Sequence, residues 1–296
     1  MLELVPAKSI LARNKDPRWF GIDYQMNLYR GCCHGCIYCD SRSECYGIEE
    51  FDRVRGKKNA LALLEEELRH KRKTGVAATG AMSDPYNPYE SEAELTRGGL
   101  KLLDQYGFGA AVATKSARIT RDLDVLKRIQ SHSPVLCKIT VTTCDDELCR
   151  KLEPYPSVTS ERMEAVRILS GAGIFTGLLL MPVLPFLEDS LDNLLGIVRL
   201  GAENGARFIY PAFGVTLRQN QREYFYDQLE KRFPGENLAR RYQEKYGSSY
   251  VCKARNAKIL REAFRRACRK EGILYSMTEI IKAYRAPYDP VQTSLF

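Results

Sequence analysis

No stretch of this chain is apolar for long enough to suggest a membrane span. The longest uncharged run, residues 168–187, contains Pro182, Pro185 and three glycines, so it reads as a buried strand with its exit loop. The opening residues, MLELVPAKSILARNKD, lack the apolar core of an export signal, and a cytoplasmic protein is expected. There is no internal repeat and no low-complexity tract, which sets aside solenoids and biased linkers. At 44% apolar and 28% charged residues, the composition excludes disorder for most of the chain. Its 296 residues suit one large domain or two ordinary ones.

Positive charge is unevenly placed. The net +8 resides in residues 215–296, where 17 Lys and Arg face 9 Asp and Glu; the preceding 214 residues balance. That segment also holds 8 of the 17 tyrosines, among them Tyr224, Tyr226, Tyr242, Tyr246 and Tyr250. Interleaved basic and aromatic side chains neutralise phosphates and stack on unpaired bases, although helices with solvated basic faces have the same one-dimensional pattern.

Before residue 215, short apolar runs alternate with helical patterns. The alternation predicts strands over 21–28, 76–79, 109–114, 135–143, 174–180 and 207–213, with helices over 57–73, 92–105, 121–131, 160–171 and 190–203. Thr120 or the Arg121-Asp122 pair, Ser160 and the Asp189-Ser190 pair stand where helices should open. Six such units imply an α/β fold with a parallel sheet, either doubly wound or a barrel segment. In both, the loops at the carboxyl ends of the strands carry the chemistry. After residue 214 helices continue without strand alternation, so three parts are expected: 1–214, a mainly helical basic module at 215–290, and an extended tail at 291–296.

Of the ten cysteines, Cys32, Cys33, Cys36 and Cys39 fall within eight residues, in RGCCHGCIYC. A long chain without an export signal favours metal over disulfides. Zinc would want a second pair of ligands at knuckle spacing, and Cys45, Cys137, Cys144, Cys149, Cys252 and Cys268 never form one. Cys32, Cys36 and Cys39 at CxxxCxxC spacing match an iron-sulfur cluster with one iron free of protein ligand. Cys33 with Cys36 and Cys39 would give the other, ferredoxin-like spacing.

This motif, with Tyr38 before its last cysteine and a strand before the loop, resembles the radical S-adenosylmethionine superfamily. NLYRGCCHGCIYC, SDPYNPYE (83–90), ATKS (113–116), ITRDLDVL (119–126), LEP (152–154) and MPVLPFLED (181–189) are similar to the branch of spore photoproduct lyase, often labelled DNA repair photolyases. The resemblance implies a partial (β/α)6 barrel of the TIM type. Cys32, Cys36 and Cys39 would hold a 4Fe-4S cluster whose open iron binds S-adenosylmethionine. Its reductive cleavage would yield a 5′-deoxyadenosyl radical for hydrogen abstraction, in a lyase-like reaction fed by a reductant such as flavodoxin or ferredoxin. By the same resemblance Tyr38 lies near the adenine and Ser83 meets the methionyl amino group. Lys115 and Thr140 contact carboxylate or ribose, and Arg162 the carboxylate. Two departures stand out: Asp40 occupies a position that is tyrosine in spore photoproduct lyases, and no cysteine stands between residues 77 and 90, where they carry a hydrogen donor.

Asp84, Glu90 and Glu153 read either as acid-base groups or as loop anchors. The run TLRQNQREY (216–224) has side chains suited to polar recognition. The ending QTSLF resembles the peptide by which bacterial repair proteins bind the sliding clamp, through Gln292, Leu295 and Phe296. The leading expectation is a radical S-adenosylmethionine enzyme acting on nucleic acid. The alternative is a non-catalytic zinc or iron-sulfur protein that binds nucleic acid.

Overall fold

The computed structural model describes residues 2–288; the clamp-like residues Gln292, Leu295 and Phe296 lie outside them. Six parallel strands lie side by side in chain order. They are β1 (Tyr24–Met26), β2 (Val76–Thr79), β3 (Gly109–Thr114), β4 (Val135–Thr140), β5 (Thr176–Leu180) and β6 (Phe208–Pro211). Between them run α1 (Ala60–Arg69), α2 (Leu95–Gln105), α3 (Leu123–Gln130), α4 (Thr159–Gly171) and α5 (Leu191–Glu203). A doubly wound sheet reverses its order at a switch point, whereas this order never reverses, as in a barrel. The first and sixth strands do not pair among the described residues. Leu11–Arg13 runs antiparallel beside β1, and Leu274 bridges in parallel to Phe208 at the far edge.

Every residue of β2, β4 and β5 is buried, as a sheet covered on both faces requires. The strand's period of two sorts them. Ala77, Val112, Cys137, Ile139, Leu178 and Ile209 pack outward on Leu64, Leu100, Leu126, Val166 and Ile197 of the helices. Ala78, Ala111, Leu136, Leu179 and Phe208 form a separate inner cluster. Lys138 lies on that inner side, buried, its ammonium 4.8 Å from the centre of the Phe20 ring.

Ser190 caps α5 by accepting from the Asn193 amide at 3.1 Å, as its position suggested. The helix expected from Ser160 opens at Thr159, because the Ser160 hydroxyl binds Asp146 at 2.6 Å while Glu161 accepts from the Val158 amide at 3.0 Å.

Residues beyond β6 enclose no single core of their own. A hairpin of β7 (Gly214–Thr216) and β8 (Val251–Lys253) brackets α6 (Gln221–Arg232) and α7 (Leu238–Tyr246). The next helix, α8 (Ala257–Lys270), packs on α5 and places Leu260, Phe264 and Cys268 in the main core. It takes the place of a sixth barrel helix. The last, α9 (Met277–Arg285), closes the amino ends of the strands, with Ile280 and Tyr284 in the inner cluster and the Tyr284 hydroxyl donating to the Phe20 carbonyl at 2.7 Å. Among the described residues no helix is long and apolar enough to cross a membrane.

Candidate active site

The cysteine loop leaves the carboxyl end of β1 and is tied down at several points. The Cys32 amide donates to Phe51 O at 2.8 Å, the Ile37 amide to Leu152 O at 3.0 Å, and the Tyr155 amide to His34 O at 3.4 Å. Two glycines make the path available. Gly31 has φ +78°, and a Cβ there would lie 2.5 Å from Arg53 O; Gly35 has φ +66°, and a Cβ would lie 2.9 Å from the Tyr155 ring.

Within this loop the thiols of Cys32, Cys36 and Cys39 lie in one electrostatic neighbourhood. Burial pushes all three up, Cys32 to about 12. Lys115 pulls Cys36 and Cys39 back down, while Cys39 raises both Cys32 and Cys36. The Cys33 thiol is instead raised by burial and by Asp84 and Asp52, and its side chain lies against the main core. All ten cysteines are free thiols. Among the described residues no three His, Cys, Asp or Glu side chains converge as ligands of one ion. A cubane takes each thiolate on a separate iron, so its ligands need only surround a common volume.

Three of the expected S-adenosylmethionine contacts, Tyr38, Lys115 and Arg162, gather around one buried carboxylate. Glu153 accepts the Tyr38 hydroxyl, pairs with Arg162, and lies 3.8 Å from the Lys115 ammonium. Burial raises the Glu153 carboxyl and the adjacent guanidinium opposes that. Lys115 also lies 5.5 Å from the centre of the Tyr38 ring. Arg162 has its guanidinium taken up inside the protein: besides Glu153 it donates to Thr140 O at 2.8 Å and Ser157 O at 2.7 Å. Thr140 ends β4, Lys115 follows β3, and Ser83 follows β2 with its hydroxyl 3.5 Å from Tyr29 O. All five therefore lie along the carboxyl edge of the sheet.

Asp84 and Glu90 are loop anchors. Asp84 accepts from Thr114 Oγ1 at 2.7 Å and from the Lys115 and Tyr86 amides, with His34 Nδ1 3.5 Å away. Glu90 accepts from Tyr29 and Arg121 and from the Thr96 and Arg97 amides.

Several contributors stand out in the sequence only as a departure or as members of a polar run, without these contacts. Gln221, fully buried at the start of α6, donates to Tyr38 O at 3.0 Å. Asp40 joins the cysteine loop to the hairpin by accepting from Arg218 Nε at 3.0 Å, Thr216 Oγ1 at 3.2 Å and Tyr46 at 2.7 Å. Arg42 stacks 3.9 Å from the centre of the Tyr224 ring. Apart from Tyr46, these partners lie some 180 residues away in sequence, beyond any local signal. Glu188, in the loop after β5, was legible only as part of a motif. Its Oε2 accepts from the Leu184 amide at 2.9 Å, while Oε1 is buried without a hydrogen-bond partner. Burial holds this carboxyl well above its usual range, with Lys115 and Glu153 as its charged neighbours.

The donor set fits the implied groups. Three clustered thiols beside a lysine suit an anionic iron-sulfur cluster. An orphaned Glu188 oxygen and the Lys115 ammonium offer polar partners to a zwitterionic nucleoside.

Comparison with known proteins bears on the family and the fold. The family model of the Radical SAM superfamily matches residues 26–196. An uncharacterized Mycobacterium tuberculosis protein is 29% identical over 304 residues, spanning 99% of this chain and 87% of that protein. One from Methanocaldococcus jannaschii is 28% identical over 189 residues, 62% of this chain and 68% of its own. Among solved structures, spore photoproduct lyase complexed with dinucleoside spore photoproduct superposes with a TM-score of 0.64 at 19% identity, covering 93% of this chain and 81% of that one. A mutant of the same lyase with bound AdoMet and the dinucleoside gives 0.64 at 18% identity, over 92% and 82%. At such identities the likeness speaks for the fold.

Proposed function

Because the chain belongs to the radical S-adenosylmethionine superfamily, whose enzymes use a 4Fe-4S cluster and S-adenosylmethionine, we propose that it abstracts hydrogen from a nucleic-acid substrate at the carboxyl edge of its barrel. Cys32, Cys36 and Cys39 are the cluster ligands in this reading. The observation that carries it is their shared buried loop, beside Lys115 and Glu153. When bound, the cofactor pair supplies one-electron cleavage of a sulfonium and a carbon radical, chemistry that no side chain provides.

The protein's part is to orient and exclude water. Lys115 and Thr140 would face the carboxylate or ribose of bound S-adenosylmethionine, Ser83 its amino group, and Tyr38 its adenine. Arg162 acts as a positioning residue: it fixes Glu153, which in turn holds the Tyr38 hydroxyl and faces Lys115. The hairpin and α6, bound to the cysteine loop through Asp40 and Gln221, wall the crevice on the side where substrate enters. Nucleic acid is supported by the basic, tyrosine-rich composition of residues 215–296 and by the likeness to a lyase that was solved with a dinucleoside. Asp40, bound into the hairpin, and the lack of a cysteine between residues 77 and 90 argue against spore photoproduct reversal by that lyase's route. Superfamily membership does not favour a non-catalytic zinc protein.

The test is anaerobic reconstitution with iron and sulfide, then reduction by dithionite with S-adenosylmethionine. A brown protein that forms 5′-deoxyadenosine, faster when oligonucleotide is added, is expected. Bound zinc, or turnover indifferent to every nucleic acid supplied, would overturn the reading.

A further inference from the structure

The balanced charge of the first 214 residues conceals a local imbalance that only the fold creates. At the amino ends of the strands, opposite the cysteine loop, a concavity of about 940 Å³ is walled by Arg13 and Lys15 on one side and Lys71, Arg72 and Lys73 on the other. The first pair lies at the end of the edge strand beside β1, where Arg13 faces Tyr24. The second group links α1 to β2. None of these five cations forms an ion pair among the described residues. The acidic side chains nearby are already bonded: Asp23 accepts from the Val76 amide at 2.8 Å and faces Arg285 at 3.4 Å, and Asp16 holds Arg18.

The turn that follows Lys15 carries the chain's single tryptophan. It is held rigid by Asn14, which donates to Asp16 O and Ile22 O at 2.9 Å each. Trp19 packs edge-on against Phe20 and Tyr210, at 87° and 88°, and remains 41% exposed. A second concavity, bordered by Asp16, Arg18, Trp19, Tyr210 and Met277, uses the alternate residues of the same turn, whose Asn14, Lys15 and Pro17 line the first.

We infer that this face binds single-stranded nucleic acid, with phosphates in the five-cation groove and a base stacked on Trp19. Charge alone would accept any polyanion. A rigidly mounted, half-exposed indole next to the groove selects for one that carries flat aromatic groups at regular spacing, which an acidic polypeptide lacks. The surface is remote from the barrel's chemistry and does not depend on the nature of the substrate there.

Trp19 is its own reporter. Reconstituted full-length protein titrated with a short oligothymidylate should show quenched tryptophan fluorescence. Single-strand binding loses about 0.7 in logarithmic slope against salt per phosphate neutralised, so five contacts give a slope of up to about −3.5. Lys71→Glu with Lys73→Glu should weaken binding and bring that slope closer to zero by about 1.4. Trp19→Leu, followed through a labelled oligonucleotide, should bind about tenfold less tightly, the loss of one stacked base. Reductive cleavage of S-adenosylmethionine without substrate should be unchanged in both variants. Equal binding and quenching by polyglutamate of the same charge would overturn the inference, as would variants that bind like the parent. Quenching that persists while oligonucleotide fails to stimulate turnover would sink the proposed substrate and leave this surface standing.

Discussion

Replacing Arg162 by methionine tests the order of the site more sharply than any cysteine change. Arg162 and Glu153 are each 1% exposed at the side chain, so both charges are buried. The guanidinium also satisfies the carbonyls of Thr140 and Ser157 at 2.8 and 2.7 Å. Methionine keeps the packing volume but leaves two acceptors unpaired and a carboxylate with the Tyr38 hydroxyl and, as its nearest remaining cation, Lys115 3.8 Å away. Breaking a buried pair by removing one partner costs about 3–5 kcal/mol. Equilibrium urea unfolding should show a loss of that order. Adding Glu153→Gln should recover about 2 kcal/mol or more, because the uncompensated charge is then gone. The same single variant should bind S-adenosylmethionine more weakly, since Tyr38 and Lys115 are aligned through Glu153. A single variant within about 1 kcal/mol of the parent, or a double variant whose loss equals the sum of the two singles, would refute a charge-coupled core.

Lys138 gives a pH signature. Burial pushes its ammonium down to about 8 from the usual 10.5, so between those values the native state binds fewer protons than the unfolded one. Stability from this group must rise as pH increases through that window, by up to about 3 kcal/mol. Lys138→Met should lack the rise and be the more stable protein at pH 7; parallel stability curves would contradict this. Asp40→Ala removes a partly exposed junction worth about 1 kcal/mol, and hydrogen exchange should accelerate at Thr216 and Arg218. Unchanged protection there would show that the hairpin needs no such tie. Cys33→Ala should reconstitute with about four irons per chain while Cys32→Ala should not, as read by iron analysis and visible absorbance; the reverse pattern would exchange the two ligands.

The cluster motif and the βα alternation were legible in the sequence because their physics is local. Three thiols within one short loop stay near one another whatever surrounds them, and strands buried on both faces read as unbroken apolar runs. Ser190 announced its helix for the same reason, since a cap needs only a neighbouring amide. What joined distant segments was not legible. The unreversed strand order that distinguishes a barrel from a doubly wound sheet depends on where each crossover returns. The roles of α8 and α9 as barrel helix and floor depend on surfaces made by earlier segments, α5 for the one and the turn at Phe20 for the other. Lys138 lay in an apolar run, and only the closure of that strand between its neighbours put the ammonium above Phe20. The run Lys71-Arg72-Lys73 is visible in the sequence, but its meeting with Arg13 and Lys15 across one groove is not, because summed charge cancels along a chain whereas the electrostatic field adds in space. Spacing along the backbone determined which chemistry this protein can hold. Folding decided which side chains surround that chemistry, because contacts between remote segments exist only once the core has formed.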